Sequence, residues 1–242
     1  MPPSEFRYWE NVGRGWARVL SIAGRIVGFD PAPPREVIDA IAAMYEDGDP
    51  LADAFLEEVP SAKEARELWN RAARDGIARV PEAPRTLRAL FEDVETPPAW
   101  LVREMVERGA KVFRRYGAHV FRFAGAITLA GYAESSVAKP LALAGGYVGS
   151  SAKRRFLETA QFWIEVSEPN GLARGAPGWV TTLHVRLGHA FVRRRLLAHP
   201  AWDRAAWGTP ISQADSLFTL MGGSIAPGLA MHAMGFRTSR DD

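Results

Sequence analysis

The run Thr181-Thr182-Leu183-His184-Val185-Arg186-Leu187-Gly188-His189-Ala190-Phe191-Val192-Arg193 holds the residues best suited to chemistry. On a helix, Arg186, His189 and Arg193 fall at i, i+3 and i+7 and form one stripe, flanked by Val185, Val192 and Leu196. Two cations on an apolar face need anionic partners, because unpaired buried charge is very costly. Two readings meet that need. In one, His189 is a core histidine and each arginine pairs with an Asp or Glu elsewhere in the chain. In the other, a cofactor brings the anions: haem carries two propionates, and its iron takes a histidine nitrogen. Gly188 clears space beside His189, either for a macrocycle or for a crossing helix. His184 sits five residues earlier, roughly 140° around the helix, and should not face the same metal.

A second stripe, Arg155, Glu158 and Thr159, falls at i, i+3 and i+4. Arg155 and Glu158 could form an intrahelical pair worth ~0.2–0.5 kcal/mol, or stand as a polar wall above a ligand in an apolar pocket. His119, His199 and His232 read as packing or surface residues. Neither Gly145-Gly146 nor Gly222-Gly223 makes a phosphate loop, and there is no Walker, His-Glu-x-x-His or Gly-x-Ser-x-Gly motif.

Composition narrows the chemistry further. The 242 residues include no cysteine, which excludes thiolate-ligated haem, iron–sulfur clusters and disulfides. A metal must be held by carboxylate, Lys, Tyr or one of five histidines. Thirty basic against 28 acidic residues leave a net +2. The run Arg193-Arg194-Arg195 lies inside an amphipathic helix, so no nucleic-acid partner is expected. The start, Met1-Pro2-Pro3-Ser4-Glu5, lacks the pattern of a signal peptide. The most apolar stretch, Val120 to Ala130, is broken by Arg122 and falls short of the ~20 residues a membrane span needs. These features lead us to expect a soluble cytoplasmic protein with no membrane span.

The elements that must carry these residues are helical. Apolar residues recur at the helical period, with no long alternating run. The spacing predicts helices over Glu5–Val27, ending at Gly28, and over Glu36–Tyr45. A helix should open at Ser61, with Glu64 as capping-box partner, and stop at Gly76; a short one should cover Pro84–Phe91. Thr96-Pro97-Pro98 reads as the start of a helix running to Gly117, followed by an apolar stretch from Val120 to Leu143. Ala152–Val166 and Trp179–Leu197 carry the two polar stripes. A last helix starts at Thr209-Pro210-Ile211-Ser212, with Gly222-Gly223 and Pro227 expected to bend or interrupt it. We expect one all-α domain over residues 1–242, with 1–92 as a candidate N-terminal helical subdomain and 93–242 as the core.

The sequence resembles the catalytic domain of the latex-clearing proteins (rubber oxygenases), shared with the mycophenolic-acid synthesis B oxygenases. The resemblance rests on Arg186-x-x-His189-Ala190-x-Val192-Arg193, on Trp202-Asp203-x-x-x-Trp207-Gly208-x-Pro210-Ile211-x-Gln213-x-Asp215, and on Thr219. Pro98-x-Trp100, Ala130-Gly131-Tyr132 and Arg155-x-x-x-Thr159 fit more loosely. It implies a globin-like helical bundle around a haem b pocket. His189 would be the proximal iron ligand, Arg186 and Arg193 would support the cofactor, and Arg155 and Thr159 would lie on the distal side. It implies an oxidoreductase that uses dioxygen or peroxide on an apolar small or medium substrate. A non-catalytic haem or hydrophobic-ligand-binding protein is the alternative on the same scaffold. Glu158 stands where rubber oxygenases carry a distal Lys, and a carboxylate there could act as acid or base. Glu134 lies near the place of their distal glutamate. The family pattern usually continues past Met234-Gly235-Phe236, so a homo-oligomer or a second chain could complete the pocket.

Overall fold

The computed structural model describes residues 2–6, 17–122, 135–144, 150–237 and 239, and among them every regular element is helical. The chain order is α1 (Ala17–Val27), α2 (Arg35–Met44), α3 (Pro50–Glu58), α4 (Ala62–Asp75), a short 3₁₀ turn (Ile77–Arg79), α5 (Arg85–Glu95), α6 (Arg103–Tyr116), α7 (Ser135–Leu143), α8 (Ser150–Ser167), α9 (Pro177–Leu197), α10 (Arg204–Trp207), α11 (Gln213–Gly223) and α12 (Ile225–Ala233).

Several boundaries follow local chemistry. Ser61 caps α4 by accepting from the Glu64 amide at 3.4 Å. Ser212 and Asp215 form a reciprocal capping box at the start of α11. The expected interruption after Gly222-Gly223 falls at Ser224, and Pro227 sits in the first turn of α12, where a missing amide costs nothing. Two expectations are corrected. The helix expected at Thr96-Pro97-Pro98 starts at Arg103 instead. Each proline pushes the residue before it out of the helical region, and Thr96 is extended, with φ −93° and ψ 104°. Trp100 therefore lies outside the helix and is exposed. The first helix does not open at Glu5: the amides of Ser4 and Glu5 donate to Ala205 and Ala206 carbonyls, at 2.9 and 3.1 Å. Residues 7–16 of that expected helix, with Trp9 and Trp16, lie outside the described residues, as does most of the apolar stretch after Val120.

The main core draws one buried stripe from each of four helices. Phe55 and Leu56 of α3, Leu68 and Trp69 of α4, Leu87, Leu90 and Phe91 of α5, and Leu183, Leu187 and Ala190 of α9 pack together. The stripes recur at i, i+3, i+4 and i+7, so each helix turns one apolar face inward. Trp69 sits at the centre with no exposed surface, its ring 5.7 Å from Phe55 and 5.8 Å from Phe91. Burying each large side chain of this kind stabilises the fold by ~1.5–3 kcal/mol. The core thus joins the first 92 residues to α9, the helix that carries His189.

Candidate functional site

Helices α8 and α9 form a hairpin that is pinned at its closed end. A Cβ on Gly178 would lie 2.6 Å from both the Glu165 and the Gly171 carbonyl oxygen, so only glycine lets the two backbones meet there. The Thr181 hydroxyl donates to the Glu165 carboxylate across the same junction. Ten residues back from Glu165 along α8 is Arg155, and eleven forward from Gly178 along α9 is His189. At ~1.5 Å per residue both lie about 15–17 Å from the pinned end, so the two polar stripes stand at one level, and the positive charge of Arg155 reaches the His189 ring.

At that level the hairpin is open. Residues Lys153 to Thr159 of α8 are all exposed, and so is His189. A Cβ on Gly188 would meet nothing within 4 Å among the described residues. Yet enough protein surrounds the imidazole that desolvation, aided by the positive charges of Arg193 and Arg155, lowers its pKa to about 4 against a partial upward pull from Asp49. Solvent reaches the ring even though protein surrounds much of it. The ring has no hydrogen-bond partner among the described residues, and at neutral pH it is uncharged, with a lone pair free to bind a Lewis acid.

The opposite edge of the stripe is closed. Arg186 donates from Nε and Nη2 to the two carboxylate oxygens of Asp49, at 2.6 and 2.9 Å. Arg193, 3% exposed, donates from Nε to Asp53 at 2.9 Å and from Nη1 to the Ile211 carbonyl at 2.8 Å. Burial pushes the Asp49 carboxyl up, but the Arg186 fork and the Ala52 amide outweigh it and hold the carboxyl below its usual range. The arginines thus find their anions within the chain, as the first of the two readings requires. One buried donor, Arg193 Nη2, is left with no partner.

The remaining expected residues are placed as follows. Glu158 pairs with Arg154 at 3.5 Å rather than with Arg155, on an exposed face. The Thr159 hydroxyl donates to the Arg155 carbonyl one turn back at 3.0 Å. Glu134 lies outside the described residues. His184 points away from the cleft: its Nε2 is buried without a hydrogen-bond partner, and burial lowers its pKa. Among the described residues no three His, Asp or Glu side chains gather to hold a bare metal ion. Sequence reasoning missed Asp49 and Asp53. Their signal was present: Asp49-Pro50 is an N-cap followed by proline in the first helical turn, and Asp49 accepts from the Ala52 amide at 3.1 Å.

Residues 113–238 match the family described as ER-bound oxygenase mpaB/B′/Rubber oxygenase, catalytic domain. The chain belongs to this family. Within the rubber oxygenase family segment lie both stripes, with Arg155 and His189, whereas Asp49 and Asp53 lie before it. A rubber oxygenase from Streptomyces sp. (strain K30) is 29% identical over 211 residues, covering 84% of this chain and 48% of that protein. The chain therefore spans about half the length of the curated relative it matches. No solved structure gives a significant match. No helix among the described residues is long and apolar enough to cross a membrane.

Proposed function

We propose that the chain is a haem b-dependent oxygenase that acts on an apolar organic molecule with dioxygen or peroxide, and that His189 is the iron ligand. The observation that carries this reading is the imidazole itself. It is neutral, reachable and free of hydrogen bonds, beside a glycine with open space, in a segment that belongs to an oxygenase family. The residues present fit the group. Gly188 leaves room for a macrocycle against α9, and the orphaned Arg193 Nη2 is a buried donor suited to a carboxylate. Bound there, haem would supply the redox centre for oxygen chemistry.

The chain's own residues would do the rest. His189 holds the cofactor, and Arg186 and Arg193 act chiefly by fixing its helix. Arg155 and Thr159 form the facing wall, with Phe156 and Leu157 as exposed apolar neighbours for the substrate. Glu158, with Glu134, is the proton-handling candidate. Its exposed pair with Arg154 is worth only ~0.3–0.5 kcal/mol and is readily given up. A globin-like pocket, a single domain over 1–242, and completion of the cleft by a second copy belong to the same proposal.

Reconstitution with haemin tests it. The purified chain should develop a Soret band, His189→Ala should lose most of it, and His184→Ala should keep it. A normal haem spectrum in His189→Ala overturns the assignment. Haemin binding without turnover of any apolar substrate would leave a haem carrier.

A further inference from the structure

A metal-binding histidine needs its ring held in one orientation, commonly by an acceptor on its second nitrogen. His189 has none among the described residues. What fixes it among the described residues is the helix, and the helix is gripped on both sides of it. Arg186, three residues before, is locked in the fork with Asp49. Arg193, four residues after, is locked on Asp53 and on the Ile211 carbonyl. The two anchors are themselves tied together, since the Asp49 amide donates to Asp53 at 3.1 Å. Gly48 completes the seat: a Cβ there would lie 2.9 Å from Arg193 Nε. A turn of helix held at two points a full heptad apart can neither slide nor rotate.

We infer that Asp49 and Asp53, both outside the family-matched segment, are positioning residues for His189 and set how it presents its nitrogen to the cofactor through Arg186 and Arg193. This rests on the reading of His189 as iron ligand. Each aspartate is joined to its arginine, and among the described residues neither hydrogen-bonds to His189. Losing a partner hydrogen-bonded to a ligating histidine typically costs 10–100-fold in metal affinity; the aspartates act one residue further away, so about tenfold, the low end of that range, is expected here.

The experiment is a haemin titration of the full chain, followed by its Soret band and by the spin state of the ferric complex. Asp49→Asn and Asp53→Asn should weaken haemin binding about tenfold and broaden or shift the spin-state signature, with helical content retained by circular dichroism. Arg193→Gln combined with Asp53→Asn should cost little more than either alone, because both act through one pair. If an asparagine variant does not fold, Asp49→Glu and Asp53→Glu keep the charge while moving the arginine by one methylene, and the spin-state change is read there. Folded variants that bind haemin with wild-type affinity and an unchanged spectrum overturn the inference. A wild-type chain whose haemin binding ignores His189→Ala overturns the reading beneath it instead.

Discussion

The two sides of helix α9 differ in almost every physical respect. One side carries Leu183, Leu187 and Ala190 into the common core and sets Arg186 and Arg193 on carboxylates of the α3 region. The other carries Gly188, with open space beside it among the described residues, and the exposed His189, whose imidazole feels the positive charge of Arg155 on α8. At roughly 100° per residue the arginines lie between the histidine and the core, so each pair closes the border between dry packing and accessible chemistry. Residues on the closed side should govern whether the chain folds, and those on the open side what it binds.

That contrast can be broken first on its closed side. Trp69→Ala empties the centre of the core and should cost ~3–5 kcal/mol in urea unfolding, disturbing haemin uptake only through loss of fold. Arg193→Ala leaves Asp53 and the Ile211 carbonyl without their donor and should cost about 3 kcal/mol, against less than ~1 for the exposed Arg194→Ala. Equal effects at 193 and 194 would deny that the border is sealed by that pair.

The open side should respond to pH. In the chain without haemin, His189 takes its proton near pH 4, below its ordinary value of 6.5. The unfolded chain therefore protonates first, and native stability should fall as pH drops from about 6.5 toward 4, with no contribution above that window. In His189→Gln that part of the slope should vanish; an unchanged slope would show the ring to be free in solvent.

The smallest effect is the sharpest test. Gly188→Ala meets no neighbouring atom and replaces a helix-interior glycine, so it should stabilise the fold by ~0.5–1 kcal/mol. If a cofactor lies against this stretch, the same methyl should reduce haemin uptake. Gain of stability with full uptake would move the cofactor elsewhere on the helix.

Much of this contrast could be read from residue order alone, and the rest could not for definite reasons. The helix over Trp179–Leu197, the Arg186–His189–Arg193 stripe and the Ser61 cap depend on neighbours a few residues apart, and the structure shows each of them. The anions that neutralise the arginines stand 137 and 140 residues away, and spacing has no reach over that distance. Helix α3 was missed even though Asp49-Pro50 announces it, because its nine residues lie between loop signals and show too few turns for periodicity. Arg154 rather than Arg155 took Glu158 because i, i+4 and i, i+3 partners compete on one helix face.

The separation of these pairs has a consequence for how the protein is made. At ~5–20 residues per second, Asp49 leaves the ribosome on the order of 10 s before Arg186 is synthesised. Through that interval α3, α4 and α5 can already gather around Trp69, while the two carboxylates wait in water for cations not yet translated. The two pairs can close only when α9 arrives, and the seat of Arg193 is complete only when Ile211 follows it. On the proposed reading of His189, the site for a cofactor likewise exists only once these distant segments have met.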